Sequence, residues 1–119
     1  MYFHIRTDVV GPWIVLVVVG EIDLATAPRY RRELVAAVAE CQRDVAGCRP
    51  LAVDLSACDL IDSVGLGVTV GGARRVGEIG GSFAVVAGER VRRCFERTRL
   101  DEIIAVVASV DELDGVRAT

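Results

Sequence analysis

At 119 residues, 52% hydrophobic and 26% charged, the chain has room for one domain that buries roughly two thirds of its unfolded surface without a disulfide staple. A net charge of −3 argues against a nucleic-acid ligand, which a positive field across the domain usually attracts, and points to a protein partner. The longest apolar run, Trp13 to Val19, falls far short of the ~20 residues that span a bilayer, and the start Met1-Tyr2-Phe3-His4-Ile5-Arg6 lacks the pattern of a secretory leader, so the expectation is no membrane and a cytoplasmic location.

In chain order, Phe3 to Val9 alternates apolar and polar residues and stops at Gly11-Pro12, which predicts a hairpin into a second strand over Trp13 to Val19. That run and Leu51 to Leu55 are short, aliphatic and β-branched, as in central strands buried on both faces. Phe83 to Ala87 and Ile103 to Val107 repeat the pattern, for five strands. Ala27 to Cys41 sets Tyr30, Leu34, Ala37 and Val38 on one helical stripe, with Thr26 as N-cap and Pro28 in the tolerant first turn. Gln42 to Pro50 reads as a polar loop. A second helix, Ser63 to Glu78, is small and apolar on one side, basic at Arg74 and Arg75, and ended by Gly80-Gly81. A third fits Glu89 to Thr98, with Val91, Cys94 and Phe95 inward, and a fourth starts at Ser109, with Glu112 completing a capping box. This alternation predicts an α/β fold in a single domain over 1–119: a mainly parallel five-stranded sheet, an antiparallel first hairpin and about four helices.

Two phrases carry chemistry. Asp62-Ser63-Val64-Gly65-Leu66-Gly67 opens the second helix, where free N–H groups and the positive dipole end stabilise an anion at Ser63. Gly65 and Gly67 keep that turn free of bulk, so that another chain can approach. Local chemistry leaves a second reading open, in which Ser63 only caps the helix and the glycines only pack. The phrase lacks the G-x-x-x-x-G-K-[ST] pattern of a phosphate-binding loop. Gly20-Glu21-Ile22-Asp23-Leu24-Ala25-Thr26-Ala27-Pro28 puts Glu21 and Asp23 at a strand's end, either available to a basic partner or forming a turn in which Asp23 helps cap the helix. Cys41, Cys48, Cys58 and Cys94 show no C-x-x-C pairing, and His4 is the only histidine. Thiols without close pairing lead to no expected metal or cofactor, and no enzyme activity is expected, since His4 sits on the first strand and Asp62, a carboxylate of ordinary pKa, is a poor base for the Ser63 hydroxyl.

Together the phrases resemble the STAS family, specifically the bacterial anti-sigma factor antagonists. The resemblance runs through G-E-I-D-x-x-T-A-P, then D-L-S-x-x-x-x-I-D-S-x-G-L-G at Asp54 to Gly67, and G-G-x-F-x-V-V at Gly80 to Val86. It continues through Val91 to Ile104 and the terminal Ser109 to Leu113. It implies a STAS fold and a binding switch: the unphosphorylated protein binds an anti-sigma factor that is also a serine kinase, freeing a sigma factor for transcription. Phosphorylation of Ser63 ends binding, and a separate phosphatase reverses it. Glu21, Asp23, Asp62, Ser63, Val64, Gly65 and Leu66 map onto the partner-binding face. Many relatives carry a second hydroxyl after the phosphorylated serine; here that position is Val64. A second candidate switch is a redox disulfide between Cys58, expected in the connection before the Ser63 helix, and Cys94. The alternative function is a STAS accessory subunit of a transport ATPase, which needs no phosphorylatable serine.

Overall fold

Seven of the ten residues from Trp13 to Ile22 are aliphatic, and this run pairs on both sides as the second strand of a five-stranded sheet in the order β1-β2-β3-β4-β5. The computed structural model describes residues 2–43 and 47–116. Strand β1 (His4–Val10) is antiparallel to β2 (Trp13–Ile22), and β2, β3 (Leu51–Ile61), β4 (Phe83–Ala87) and β5 (Ala105–Val107) are parallel to their neighbours. Gly11, at φ 57°, turns the hairpin. Helices α1 (Ala27–Cys41), α2 (Ser63–Glu78) and α3 (Glu89–Arg97) make the three crossovers.

Successive crossovers of one hand, stepping across the sheet in one direction, put every helix on the same face. That face holds the main core. Leu16, Val18, Val53, Leu55 and Val85 meet Tyr30, Leu34, Leu66, Val76, Val91 and Phe95, all buried. The other face carries a smaller cluster, Trp13, Val15, Val17, Ala52, Ala84 and Val86, closed by Leu113 from a 3₁₀ helix at Val110–Gly115. Among the described residues no helix is long and apolar enough to cross a membrane.

The predicted fold class holds, and several boundaries move. The fourth helix is the 3₁₀ helix Val110–Gly115; its capping box forms at Ser109 and Glu112, so the start signal was right and the helix type was not. Ile103 is 71% exposed and outside β5, because a 3₁₀ turn at Leu100–Glu102, entered through Arg99 in the left-handed region, delays the strand to Ala105. Of the loop Gln42 to Pro50, residues 44–46 lie outside the described residues. The largest change is at β2 and β3, which run on past Val19 and Leu55 to Ile22 and Ile61. Two register shifts, between Val17 and Val19 and between Gly20 and Glu21, let β3 absorb its polar residues as bulges while keeping the pairing. Gly20 sits at φ 114° in this stretch, and a Cβ there would collide with the carbonyl of Tyr2.

Candidate partner-docking site

The extended strands bring the two phrases side by side. Ile22 and Ile61 are paired in register at the ends of β2 and β3, and the Asp62 N–H donates to the Ile22 carbonyl at 3.1 Å. This bond ties the start of α2 to the end of β2. Asp62 has extended backbone (φ −94°, ψ −176°), its carbonyl accepts from the Leu66 N–H at 2.9 Å, and its Oδ1 accepts from the Gly65 N–H at 3.0 Å. Asp62 is therefore the N-cap, correcting the reading in which Ser63 caps the helix. Ser63 is the first helical residue, exposed, and its hydroxyl has no partner among the described residues.

Gly65 also changes role. It is buried, and a Cβ there would stand 2.6 Å from Ile22 Cγ2 and 2.7 Å from Ile61 Cγ1. The glycine lets α2 sit directly on the two strand ends, facing the core rather than a partner. Leu66 is buried too, at 9% exposure. Gly67 does face open space, with nothing within 4 Å of where a Cβ would stand. One turn further on, Thr69 Oγ1 donates to the Gly65 carbonyl at 2.9 Å and meets Tyr30 Oη at 2.6 Å. With the Thr69 proton so used, the Tyr30 hydroxyl donates to Thr69. Burial raises the Tyr30 pKa above the ordinary phenol range, keeping that donor protonated. The first turn of α2 is thus held by its cap, the strand ends and α1.

The neighbouring turn is built from Asp23. Its Oδ1 accepts from the Ala25 N–H at 2.9 Å and the Thr26 N–H at 3.1 Å. Thr26 holds the N-cap position but makes no side-chain bond to the helix; its hydroxyl donates to the Glu21 carbonyl at 2.8 Å and accepts from the Asp23 N–H at 2.9 Å. Glu21 and Asp23 are half-buried at the same sheet edge as Ser63 and Val64. Leu24 (75% exposed), Leu60 (47%) and Val64 (40%) add apolar surface there. Sequence reasoning missed Leu24 and Leu60. The available signal was a large apolar residue in a polar turn, claimed by no strand or helix stripe.

Cys94 lies in the expected helix, but Cys58 does not lie where expected. Cys58 is inside β3, not in a connection; its buried thiol donates to the Leu60 carbonyl at 3.2 Å, and burial pushes its pKa up. Cys94, half-buried on α3, has Sγ 3.6 Å from the Arg90 carbonyl. All four cysteines are free thiols.

The sequence profile of the STAS domain matches residues 4–113. The chain is 38% identical over 92 residues to the anti-sigma-B factor antagonist of Bacillus subtilis, covering 76% of this chain and 78% of that protein. It is 31% identical over 102 residues to the anti-sigma-B factor antagonist of Listeria monocytogenes, covering 85% of this chain and 84% of that one. The crystal structure of an anti-sigma factor antagonist from Mycobacterium paratuberculosis superposes with a TM-score of 0.84 at 31% identity, over 98% of this chain and 95% of the other. With a family profile that spans residues 4–113, and with relatives and a superposing structure of this kind, the chain belongs to the STAS domain family, among the bacterial anti-sigma factor antagonists.

Proposed function

We propose that this protein binds an anti-sigma factor of the serine-kinase type, so releasing a sigma factor for transcription in the cytoplasm, and that phosphorylation of Ser63, reversed by a phosphatase, ends the binding. The observation that carries this reading is the division of labour between Asp62 and Ser63: the aspartate caps α2, leaving the serine hydroxyl exposed and bonded to no described residue. A phosphate on Ser63 would therefore break no bond of the fold. It would add about −1.5 to −2 charge at a helix N-terminus, which tolerates an anion, and beside Asp62 and Asp23, which do not welcome it to an interface. The phosphoprotein stays folded and its docking surface turns strongly acidic.

Within that surface, Glu21, Asp23 and Asp62 supply carboxylates, and Val64, Leu24 and Leu60 supply apolar contact area. Gly65 and Leu66 act from behind, by setting where Ser63 and Val64 stand. Val64 removes a neighbouring hydroxyl, so Ser63 is the single acceptor of this turn. Redox control through Cys58 and Cys94 would require the Cys58 thiol to ionise, and its burial opposes that. A buried thiol with a raised pKa holds little thiolate at neutral pH, and the thiolate is the reactive form.

The test is to incubate wild type, Ser63→Ala and Ser63→Glu with candidate anti-sigma kinases and ATP, measuring complex formation and phosphate incorporation. Wild type should bind and take up one phosphate, Ser63→Ala should bind and take up none, and Ser63→Glu should bind at least tenfold more weakly. Equal binding by Ser63→Glu, with no phosphate on wild type, would refute the switch. Co-purification with a membrane ATPase instead would favour the transporter-subunit alternative.

A further inference from the structure

Helices α1 and α2 run side by side from the same sheet edge, and a groove opens between them directly behind Val64. Its near part is lined by Arg31 of α1 and by Val64, Gly67, Val68, Gly71 and Arg75 of α2. A second hollow, sharing Arg75, continues it past Val35 and Val38 to Ile79, with Glu78 at this far end, so the positive charge is confined to the near part. From Val64 to Ile79 the groove follows α2 for about 22 Å, a length that matches four turns of another helix. Two glycines, Gly67 and Gly71, put no side chain into its floor. Gly67 has nothing within 4 Å of a Cβ position, and the Arg75 guanidinium folds back so that Nη1 would lie 3.3 Å from a Cβ on Gly71.

The charge in the near part has one sign. Arg31 and Arg75 make no ion pair or hydrogen bond with any described residue, so both guanidiniums are available to a ligand in the groove. The sheet edge beside it, with Glu21, Asp23, Asp59 and Asp62, has the opposite sign. The exposed surface around Ser63 is therefore dipolar: acidic over the strand ends, basic along the helices.

Resting on the anti-sigma reading above, we infer that the α1–α2 groove seats an acidic amphipathic helix of the anti-sigma partner, its carboxylates on Arg31 and Arg75 and its small apolar residues on Val64, Gly67 and Gly71. Charge complementarity selects an acidic occupant, and the apolar floor between the two guanidiniums selects an amphipathic one. The groove also gives the phosphate a reach beyond its own position. It starts one residue after Ser63, so a phosphoserine at its mouth repels the same acidic segment that the arginines attract.

The first probe is a synthetic amphipathic peptide with Glu on one face and Ala and Val on the other, beside its Gln counterpart, followed by amide NMR shifts. The Glu peptide should shift Val64, Gly67, Val68 and Gly71, bind more weakly as salt rises, and lose roughly tenfold or more in affinity with Arg31→Glu or Arg75→Glu. Arg31→Gln and Arg75→Gln, which keep the side-chain bulk, should lose less, and circular dichroism should show every variant folded. Equal binding by the Gln peptide, or shifts centred on α3 instead, would overturn the inference. The second probe is the anti-sigma factor itself. If Arg75→Glu weakens the complex and Ser63→Glu does not, the groove stands and the phospho-switch falls; the reverse pattern sinks the groove and keeps the switch. Losses in both support both, and losses in neither overturn both.

Discussion

Two helices of this protein begin at the same sheet edge, each after a parallel strand, and each brings a hydroxyl residue to its start. At α1 the hydroxyl belongs to the architecture: Thr26 Oγ1 bridges the Glu21 carbonyl and the Asp23 N–H, fastening the turn that leads into the helix. At α2 the Asp62 side chain caps Gly65 while its N–H reaches back to Ile22, and the Ser63 hydroxyl bonds to no described residue. The lesson is physical. A side chain can be chemically modified without unfolding the protein only where another residue performs the local structural work.

The comparison breaks most severely at Gly65. If α2 is positioned by direct seating on Ile22 and Ile61, Gly65→Val must lift the helix off the strands, since even a Cβ would stand 2.6 Å from Ile22 Cγ2. Overpacking of this kind costs about 3 kcal/mol, and urea unfolding should show it as a lower midpoint. Partner binding should fall as well, although Gly65 itself is buried. A variant with unchanged stability would mean that α2 is held by something other than its seat.

Next in size are the two turn-forming side chains. Asp62→Ala removes the α2 cap and should cost about 1 kcal/mol, and Thr26→Val, leaving the Asp23 N–H and the Glu21 carbonyl short of a partner, should cost a similar amount. Both are read from urea midpoints, and their similarity is the point: the fold depends on each helix start to the same degree. A much larger loss from Thr26→Val would show α1 to be the more critical start.

The hairpin, the α1 stripe and the Ser109–Glu112 capping box were legible in the sequence because each is specified by residues adjacent along the chain. The second half of β3 was not. Ser56 to Leu60 has no regular alternation, since two bulges break the period, and only pairing with β2 makes it a strand. The same holds for the cap of α2. Asp62 and Ser63 are both good N-cap residues, and the choice between them is made by the bond from Asp62 N–H to Ile22, a contact forty residues away in sequence that no local pattern encodes. Once that bond is known, the burial of Gly65 and the exposure of Ser63 follow.

Alkaline pH separates the interior from the edge more gently. Burial pushes the Cys41 thiol up from 9.0 to about 11, and Cys58 and Tyr30 are raised for the same reason. A group that titrates later in the folded state than in the unfolded one binds more protons when folded, so its stabilisation is whole below the unfolded value and is lost as pH rises. For Cys41 the window lies between 9.0 and about 11. Urea midpoints should fall through that window, and Cys41→Ala should fall less steeply than wild type, whatever its starting stability. A parallel slope in the two proteins would assign the loss to other groups.

The smallest expected effect is the most discriminating. Ser63→Ala removes a hydroxyl that bonds to nothing described in the fold and leaves the Asp62 cap intact, so stability should stay within about 0.5 kcal/mol of wild type. Set beside Thr26→Val, it compares the loss of one helix-start hydroxyl with the loss of another. Thr26→Val should shift the urea midpoint and leave phosphate incorporation at Ser63 in place; Ser63→Ala should abolish incorporation and leave the midpoint where it was. If Ser63→Ala proves as destabilising as Thr26→Val, the serine is holding the start of α2 together with Asp62. A phosphate there would then loosen the helix as well as recharge the surface, and the switch would act on the fold rather than on docking alone.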